Sequence, residues 1–441
     1  MRSQCDCRKA DPTLPSVASK MSSEKRYTAL SLYTGAGGLD LGFEAAGFDC
    51  RAAVEVDQDC VATLRANRDW PVVDRSIHEV SSADLLRTAD LEPGEVDVLI
   101  GGPPCQPFSK AGYWASGDAR RLDDPRADTV AAYLRVLRDT RPRAFLMENV
   151  AGLAFKGKDE GLRLIQSTLE SINRATGTQY QASLLVLNAA DLGVPQARER
   201  AFLIGARDGA VFGTIEATHR LPVDDVQGRL SLDGALQPSL TAWDALWDLQ
   251  DDDSPDLKPR GKWADLLASV PEGTNYLYFT DRGRGPPLFG WRRRYWNFLL
   301  KLAKDQPSWT LTAQPGPATG PFHWKNRRLS ARELCRLQTM PDDYRLLGSL
   351  NSVQRQVGNA VPSALAELLG LAIRQRLLGD TRVVDLTPTL LPRRQLRIPP
   401  PEPVVPVPLK YLQLQGTHSP HPGTGKGHGA LRRELAAGVV D

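Results

Sequence analysis

The chain has 441 residues, of which 41% are hydrophobic and 24% are charged, and its formal net charge is +3. This balance excludes a disordered or collagen-like chain, and the length predicts two or three domains of roughly 100–200 residues each. The mildly basic charge neither requires nor excludes a nucleic-acid partner. Six scattered cysteines exclude a disulfide framework and favour a reduced, cytoplasmic setting. A run of about 18 apolar residues does not occur, so no membrane span is predicted.

From about Tyr27, short apolar runs alternate with stretches of helical periodicity. Strands are predicted at 29–33, 51–55, 96–100, 144–147, 183–187 and 201–205, and helices at 39–46, 57–67, 129–138 and 161–174. This alternation predicts a parallel, doubly wound α/β sheet, in which ligands bind at the carboxyl ends of the strands. A glycine turn, Glu55, a cysteine loop and Glu148 all fall at such ends.

Composition changes along the chain indicate its organisation. The alternation stops near residue 207, and helical periodicity returns at 330–339 and 363–378. Prolines and then Gly and His dominate the C-terminal end, which favours a disordered tail whose deletion from residue 386 leaves activity intact. The predicted units are a flexible leader (1–24), a first domain (25–206), a smaller irregular domain (207–325), a helical return to the first domain (326–378) and the Pro/Gly-rich disordered tail (379–441).

The glycine-rich turn follows the first predicted strand and opens a helix. Gly35, Gly37 and Gly38 allow close approach of the backbone to a ligand. Glu55 ends the next strand, where a carboxylate accepts ribose hydroxyls. Asp40 replaces the third glycine of the dinucleotide fingerprint, which favours an adenosine ligand without a pyrophosphate. A plain strand–helix corner is the alternative interpretation.

The loop after the 96–100 strand carries the sharpest chemical signal. Two glycines turn the chain, and Pro103 and Pro104 stiffen the loop before Cys105. A thiolate on a rigid loop at the carboxyl end of a strand is well placed as a nucleophile. The remaining cysteines are expected to be small buried hydrophobic residues, namely Cys5, Cys7, Cys50, Cys60 and Cys335.

Six motifs occur in the order found in C5-cytosine-specific DNA methyltransferases of the bacterial restriction-modification type. GPPCQPFS resembles their catalytic loop, LSLYTGAGGLDLGF their S-adenosylmethionine loop, and MENV at 147–150 their ENV motif. QARER at 196–200, RELCRLQ at 332–338 and QVGNAVP at 356–362 resemble the other three. The resemblance covers about 28–378 apart from the middle domain. It implies a class I, Rossmann-like methyltransferase fold with 207–325 as a target recognition domain.

The resemblance also implies a mechanism and a cofactor. Cys105 is expected to add to a cytosine flipped out of duplex DNA, while Glu148 donates a proton at N3. Arg198 and Arg200 are expected to contact the cytosine O2 and nearby phosphates. No metal ion is expected. The residues expected to bind S-adenosylmethionine are Tyr33, Gly35, Gly37, Gly38, Glu55, Val56, Ile77, Pro104 and Asn359.

DNA contacts are expected from Gln106, Ser109, Arg284 and Arg292, Arg293 and Arg294. The segment 282–296 mixes guanidinium groups with aromatic rings, and Arg pairs bidentately with guanine edges, so a target containing G·C pairs is favoured. Residues 110–128 are predicted to form a mobile loop that closes over flipped DNA. A solvated basic face with core tryptophans is the alternative for the middle domain.

Three other functions fit parts of the sequence. A tRNA cytosine methyltransferase would share the catalytic motifs. An amino-directed DNA methyltransferase would need Asp, Asn or Ser before Pro-Pro and an aromatic residue after it, where this chain has Gly102 and Cys105. A non-catalytic DNA-binding regulator is disfavoured by the intact Cys105, Glu148 and Arg198. The prediction is therefore a monomeric, cytoplasmic bacterial DNA methyltransferase paired functionally with a restriction endonuclease.

Overall fold

The computed structural model describes residues 26–104, 127–150, 160–220, 236–290 and 296–415. Cys105, Gln106, Ser109 and Arg292–Arg294 lie outside these ranges, as do the predicted leader and residues 110–126 of the predicted mobile loop. Within them the strands are β1 (Tyr27–Leu32), β2 (Phe48–Val54), β3 (Val72–Val73), β4 (Val98–Gly101), β5 (Ala144–Val150), β6 (Gln181–Asn188), β7 (Gln196–Ala197), β8 (Glu199–Ala206), β9 (His219–Arg220), β10 (Gln237–Pro238) and β11 (Ser308–Trp309).

The described helices lie around this framework. They are α1 (Gly38–Ala45), α2 (Gln58–Asn67), α3 (Ser82–Ala89), α4 (Ala127–Thr140), α5 (Glu160–Thr176), α6 (Ala242–Leu246), α7 (Ala331–Leu337), α8 (Leu350–Asn359), α9 (Ser363–Arg376) and α10 (Leu409–Leu412). Single 3-10 turns occupy Ala189–Leu192, Pro255–Leu257, Ala264–Ser269 and Tyr276–Phe279. Every strand and helix predicted from the alternating pattern is present, with ends shifted by a few residues, whereas α3 and α8 were not predicted.

The central sheet has seven strands in the order β3-β2-β1-β4-β5-β8-β6. It is parallel except for β8, which runs antiparallel to both β5 and β6. The expectation of an all-parallel sheet is therefore wrong at this strand. The connection from β6 to β8 is too short for the helical crossover that a parallel partner requires, since such a crossover needs roughly a dozen residues. The chain turns back instead and inserts β8 between β5 and β6.

Two hydrophobic clusters cover the two faces of the sheet. Successive strand residues point to opposite faces, so Ala29 and Leu30 belong to different clusters, as do Val98 and Leu99. One face packs against α1 and α9, and the other against α3, α4 and α5. Gly42 of α1 lies so close to α9 that a Cβ atom there would overlap the Ser363 carbonyl. The C-terminal helices thus return to the sheet beside the N-terminal glycine turn, as predicted.

The smaller domain is built around aromatic rings. Trp263 contacts Phe289 and Phe298 edge-on, with ring centroids 5.1 and 5.9 Å apart. The ring of Tyr411 stacks on Trp263 at 5.6 Å, and Tyr411 is only 3% exposed. Part of the C-terminal segment is therefore in the core of this domain.

Residues 380–415, here called the C-terminal arm, run from α9 to this aromatic core. The amides of Thr389 and Leu390 donate to Glu367 of α9, and the amide of Val405 donates to Ala268 O at 3.1 Å. The expectation of a disordered tail is wrong for this part of the chain, while 416–441 lies outside the described residues. Proline disfavours a helix but not an extended segment that packs on a preformed surface.

One helical stretch, Leu350–Arg376, passes a length and composition test for a membrane span. It comprises α8 and α9, and 89% of its most apolar window is buried inside the protein. Such burial is typical of core helices.

Candidate active site

A cleft of about 450 Å³ lies at the carboxyl ends of β1, β2, β4 and β5. The returning C-terminal segment closes its other side with residues from α8 and the following turn. Among the residues that the sequence assigned to a cofactor, those that line the cleft are Tyr33, Gly35, Gly38, Glu55, Val56, Pro104 and Asn359.

Gly37 and Ile77 have other positions. Gly37 caps α1 with φ 77°, and a Cβ atom there would lie 3.0 Å from the Tyr344 hydroxyl. Its backbone conformation therefore favours glycine and forms part of the turn that opens α1. Ile77 is 4% exposed within the core cluster, and its carbonyl accepts a hydrogen bond from Arg135. Neither residue is among those that line the cleft.

The carboxylate of Glu55 joins the two loops at the cleft floor. Oε2 accepts the Gly35 amide at 2.6 Å, and Oε1 accepts the amides of Val56 and Asp57 at 2.8 Å each. The Val56 side chain is 61% exposed, whereas Glu55 is 8% exposed. This arrangement leaves an apolar side chain beside a fixed carboxylate, which suits a ligand with an aromatic base and vicinal hydroxyls.

Asp40 is a cleft residue that the sequence analysis treated only as a departure from a glycine pattern. It lines the cleft at the first turn of α1 and is 2% exposed. Burial raises the pKa of its carboxyl group to about 7. Oδ1 accepts a long contact from Cys50 Sγ at 3.9 Å, while Oδ2 has no hydrogen-bond partner in the described structure. A buried oxygen without a partner is costly unless a ligand supplies a donor or positive charge.

Glu148 and Arg200 form an ion pair at the end of the cleft near the cysteine loop. β4 and β5 are adjacent and Gly101 pairs with Met147, so Glu148 on β5 lies beside Gly102. Arg200 Nε lies 2.9 Å from Glu148 Oε1, and both side chains are mostly buried, at 16% and 13% exposure. A Cβ atom on Gly102 would lie 2.9 Å from Glu148 Oε2. A larger residue at 102 would therefore crowd the carboxyl group.

Burial raises the pKa of Glu148 above its ordinary value. The positive charges of Arg200 and, more weakly, Arg198 oppose this shift without cancelling it. The protonated form of Glu148 is thus favoured relative to a solvent-exposed glutamate.

Arg198 lies in the break between β7 and β8, whereas Arg200 belongs to β8. Arg198 is completely buried and is not among the cleft-lining residues, and its guanidinium donates to Leu311 O at 3.2 Å and Gly358 O at 2.6 Å. Gln196 similarly donates to Leu337 O at 3.1 Å. The 196–200 motif therefore uses alternate residues to hold the C-terminal helices, and Arg200 alone of its two arginines faces the cleft.

The start of the cysteine loop is anchored on both sides. Asn149 Nδ2 donates to Pro103 O at 3.3 Å, and Thr129 Oγ1 donates to Pro104 O at 3.0 Å. Pro104 lines the cleft, and Cys105 is the next residue in the sequence. The Asn149 contact explains why a side-chain amide follows Glu148 in the MENV motif.

Arg284 is the described member of the predicted DNA-reading arginines. It is exposed on the smaller domain. Trp296, at the end of the same segment, is 46% exposed and packs edge-on against Trp309 with centroids 5.3 Å apart. Across the described ranges, His, Cys, Asp and Glu side chains form no group of three suited to hold a metal ion.

Comparison with known proteins agrees with this architecture. The family model for the C-5 cytosine-specific DNA methylase matches residues 27–375. The Type II methyltransferase M.SacI of Streptomyces achromogenes is 37% identical over 371 residues, which cover 79% of this chain and 93% of that protein. The Type II methyltransferase M1.HphI of Haemophilus parahaemolyticus is 34% identical, with coverage of 78% and 86%.

Solved structures share the fold at lower identity. The Entamoeba histolytica methyltransferase EhMeth has a TM-score of 0.53 and 14% identity, covering 80% of this chain and 99% of its own. A variant of Spodoptera frugiperda DNMT2 has a TM-score of 0.53 and 16% identity, with coverage of 79% and 99%. With the family model spanning the sheet, the cleft and the returning helices, the chain belongs to the C-5 cytosine-specific DNA methylase family.

Proposed function

We propose that this protein transfers a methyl group from S-adenosylmethionine to carbon 5 of a cytosine flipped out of a specific site in duplex DNA. The observation that carries the proposal is the convergence of Glu148, Arg200 and the Pro103–Pro104 turn beside a cleft suited to an adenosine ligand. Its relatives are named Type II methyltransferases, so we also propose that it protects DNA from a cognate restriction endonuclease.

The cleft residues fit S-adenosylmethionine. Glu55 Oε2 accepts a single backbone amide and retains a lone pair for a ribose hydroxyl. Asp40 presents a buried carboxylate oxygen without a partner, which suits a ligand carrying positive charge. Exposed Val56 offers an apolar surface to an adenine ring. When bound, the cofactor supplies the methyl group on a sulfonium centre.

The first chemical task is to make carbon 5 of cytosine nucleophilic. The Cys105 thiolate adds to carbon 6, which breaks the 5,6 double bond and places electron density on carbon 5. That addition requires a proton or a strong hydrogen bond at ring nitrogen N3. After methylation, loss of the carbon 5 proton to a base, for which water suffices, lets the carbon–sulfur bond break and restores the ring.

Glu148 is the proposed donor to N3. Its raised pKa favours the protonated carboxyl group, and the Arg200 contact to Oε1 leaves Oε2 to carry the proton. Arg200 also presents positive charge where the cytosine O2 gains negative charge. Arg198 is proposed as a positioning residue, because its guanidinium attaches the break between β7 and β8 to α8 at Gly358.

Flipping is required because carbon 5 is not accessible to this chemistry inside a base stack. The exposed guanidinium of Arg284 and the half-exposed ring of Trp296 lie on the smaller domain, which we propose as the part that reads the target sequence. The proposed contacts of Gln106, Ser109 and Arg292–Arg294 belong to residues outside the described ranges.

The proposal is tested by trapping and by labelled methyl transfer. Duplex DNA with 5-fluorocytosine at the target should form a covalent complex with the wild-type protein and none with Cys105→Ser. Labelled cofactor should transfer to duplex DNA and not to tRNA. Transfer to tRNA alone, or turnover by Cys105→Ser near the wild-type rate, would contradict the proposal.

A matched pair of variants tests the acid. Glu148→Gln should lower kcat by roughly 10²–10⁴-fold, since general acid catalysis typically contributes that much. Glu170→Gln changes an exposed glutamate on α5 and should leave kcat unchanged. Equal rates for the two variants would remove Glu148 from the mechanism.

A further inference from the structure

A second cavity, of about 230 Å³, lies between the smaller domain and the start of α8. The 315–322 loop forms one wall, and Asn351 and Gln354 of α8 form another. Arg260 and Arg328 complete the lining, and none of the lining residues is an Asp or a Glu. The cavity therefore brings two guanidinium groups together without a carboxylate in its wall.

Arg328 is the better fixed of the two arginines. It is half-buried, its amide donates to Leu257 O at 2.7 Å, and its Nη2 donates to Asn351 Oδ1 at 3.2 Å. In the described part of the chain, no carboxylate lies within ion-pair distance of Arg328. Burial, and then the charge of Arg260, lowers the pKa of the Arg328 guanidinium, while the negative charge of Asp256 opposes this shift without cancelling it. Burial and the Arg260 charge both disfavour the charged form, and a bound anion would relieve them.

Arg260 has a weak partner outside the cavity lining. Its Nη2 lies 3.4 Å from Asp256 Oδ1, and the two side chains are 68% and 85% exposed. An exposed ion pair of this length contributes little, so the guanidinium is available to a stronger anion. Gly261 beside it packs on Pro317, with a built Cβ atom 3.4 Å from the Pro317 Cβ. The backbone next to Arg260 therefore lies beside this loop.

The cavity and the active-site cleft share α8. Asn351 and Gln354 line the cavity, while Arg355 and Gly358 line the cleft. Asn351 and Gly358 are seven positions apart on α8, which corresponds to about 10 Å along the helix axis. Successive phosphates of a DNA strand are 3.4 Å apart along the duplex axis, so the distance between the cleft and the cavity corresponds to about three nucleotides. A duplex whose flipped cytosine occupies the cleft therefore places a backbone phosphate near the cavity.

We propose that Arg260 and Arg328 bind a backbone phosphate of the target DNA next to the flipped cytosine, without reading its sequence. The inference rests on the proposed function. A phosphodiester fits because Arg pairs bidentately with phosphate oxygens, and Thr319 in the 315–322 wall adds a hydroxyl donor.

The test measures how DNA affinity depends on salt. For Arg260→Gln and Arg328→Gln, the slope of log K against log salt should become shallower by about 0.9 for each phosphate that the variant no longer neutralises. Affinity for target and non-target duplexes should fall by the same factor. Arg328→Lys keeps the charge and should keep most of the slope. Arg174→Gln removes an exposed arginine at the end of α5 and should leave the slope unchanged.

The outcomes separate this inference from the proposed function. Both Gln variants should still trap 5-fluorocytosine DNA at low salt, because Cys105 and Glu148 are intact. The phosphate site alone is overturned if the wild type traps the DNA while both variants keep the wild-type salt slope and the wild-type urea midpoint. Absence of trapping by the wild type overturns the proposed function. Inorganic phosphate could also raise the melting temperature of the wild type and not of the variants, while the salt dependence of DNA binding stays unchanged. That result identifies a site for a free anion and also overturns the inference.

Discussion

Lys304 connects the smaller domain to the C-terminal arm through a buried ion pair. Its ammonium lies 2.7 Å from Glu272 Oε1 and 3.1 Å from Glu402 Oε1, and it also donates to Pro400 O at 3.1 Å. The side chains of Lys304 and Glu272 are 3% and 5% exposed. Lys325 contacts the same Glu402 oxygen at 3.2 Å but is 43% exposed. The two lysines thus contact the same carboxylate, but Lys304 is buried and also pairs with Glu272, whereas Lys325 is exposed.

Lys304→Met keeps the apolar stem and removes the charge, which leaves the Glu272 carboxylate buried without its cation. Breaking a buried pair in this way costs about 3–5 kcal/mol of the free energy of unfolding. Lys325→Met breaks an exposed pair and should cost about 0.2–1 kcal/mol. The difference between the variants should therefore be at least about 2 kcal/mol.

Urea unfolding measures the two free energies, and hydrogen exchange of the Glu402 amide, which donates to Glu272 at 2.7 Å, reports whether the arm detaches locally. Adding Glu272→Gln to Lys304→Met should recover part of the loss, because it removes the unpaired buried charge. Equal costs for the two lysine variants, or no recovery in the double variant, would refute the assignment of the loss to a buried charge.

Three further predictions concern the fold. Asp380→Asn should lower stability at neutral pH, because hydrogen bonds from Arg382 and Arg374 hold the Asp380 pKa below its ordinary value. This stabilisation is complete above the unfolded-state pKa of about 4 and is lost progressively as pH falls from there through the lower folded-state pKa, so the difference from the wild type should shrink over that range; unfolding free energy measured against pH checks it. A chain ending at residue 415 should match the full chain in urea midpoint and turnover. A chain ending at residue 385 loses Tyr411 from the aromatic core and should be destabilised by several kcal/mol. Equal urea midpoints for the two truncated chains would contradict the packing of the arm. Gly42→Ala should cost about 1–3 kcal/mol or more by thermal or urea unfolding, since its Cβ overlaps the Ser363 carbonyl, and a neutral result would mean that α1 and α9 separate easily.

Local patterns in the sequence were sufficient for most of the sheet and for many of the residues that line the cleft. Alternation of apolar runs and helical stretches reports the local period of the backbone, so the strands β1, β2, β4, β5, β6 and β8 were predictable, as were the helices α1, α2, α4 and α5. The glycine turn, Glu55 and the Pro103–Pro104 turn follow strands of a doubly wound sheet, and their meeting at one cleft follows from that topology.

Contacts between distant residues were decided by the tertiary structure alone. The sequence grouped Arg198 with Arg200, but Arg198 lies in the break between β7 and β8 and donates to Gly358 O, whereas Arg200 on β8 pairs with Glu148. The arm has a composition typical of a disordered tail, yet its docking depends on the stacking of Tyr411 on Trp263 and on the charge of Lys304.

The same limit applies to Arg260 and Arg328, which are 68 residues apart in the chain and share a cavity only once the smaller domain packs beside α8. Sequence by itself determined the local backbone geometry and the order of the chemical groups. The tertiary structure decided which side chains share a solvent-excluded space, because burial and pairing depend on contacts that no local period encodes.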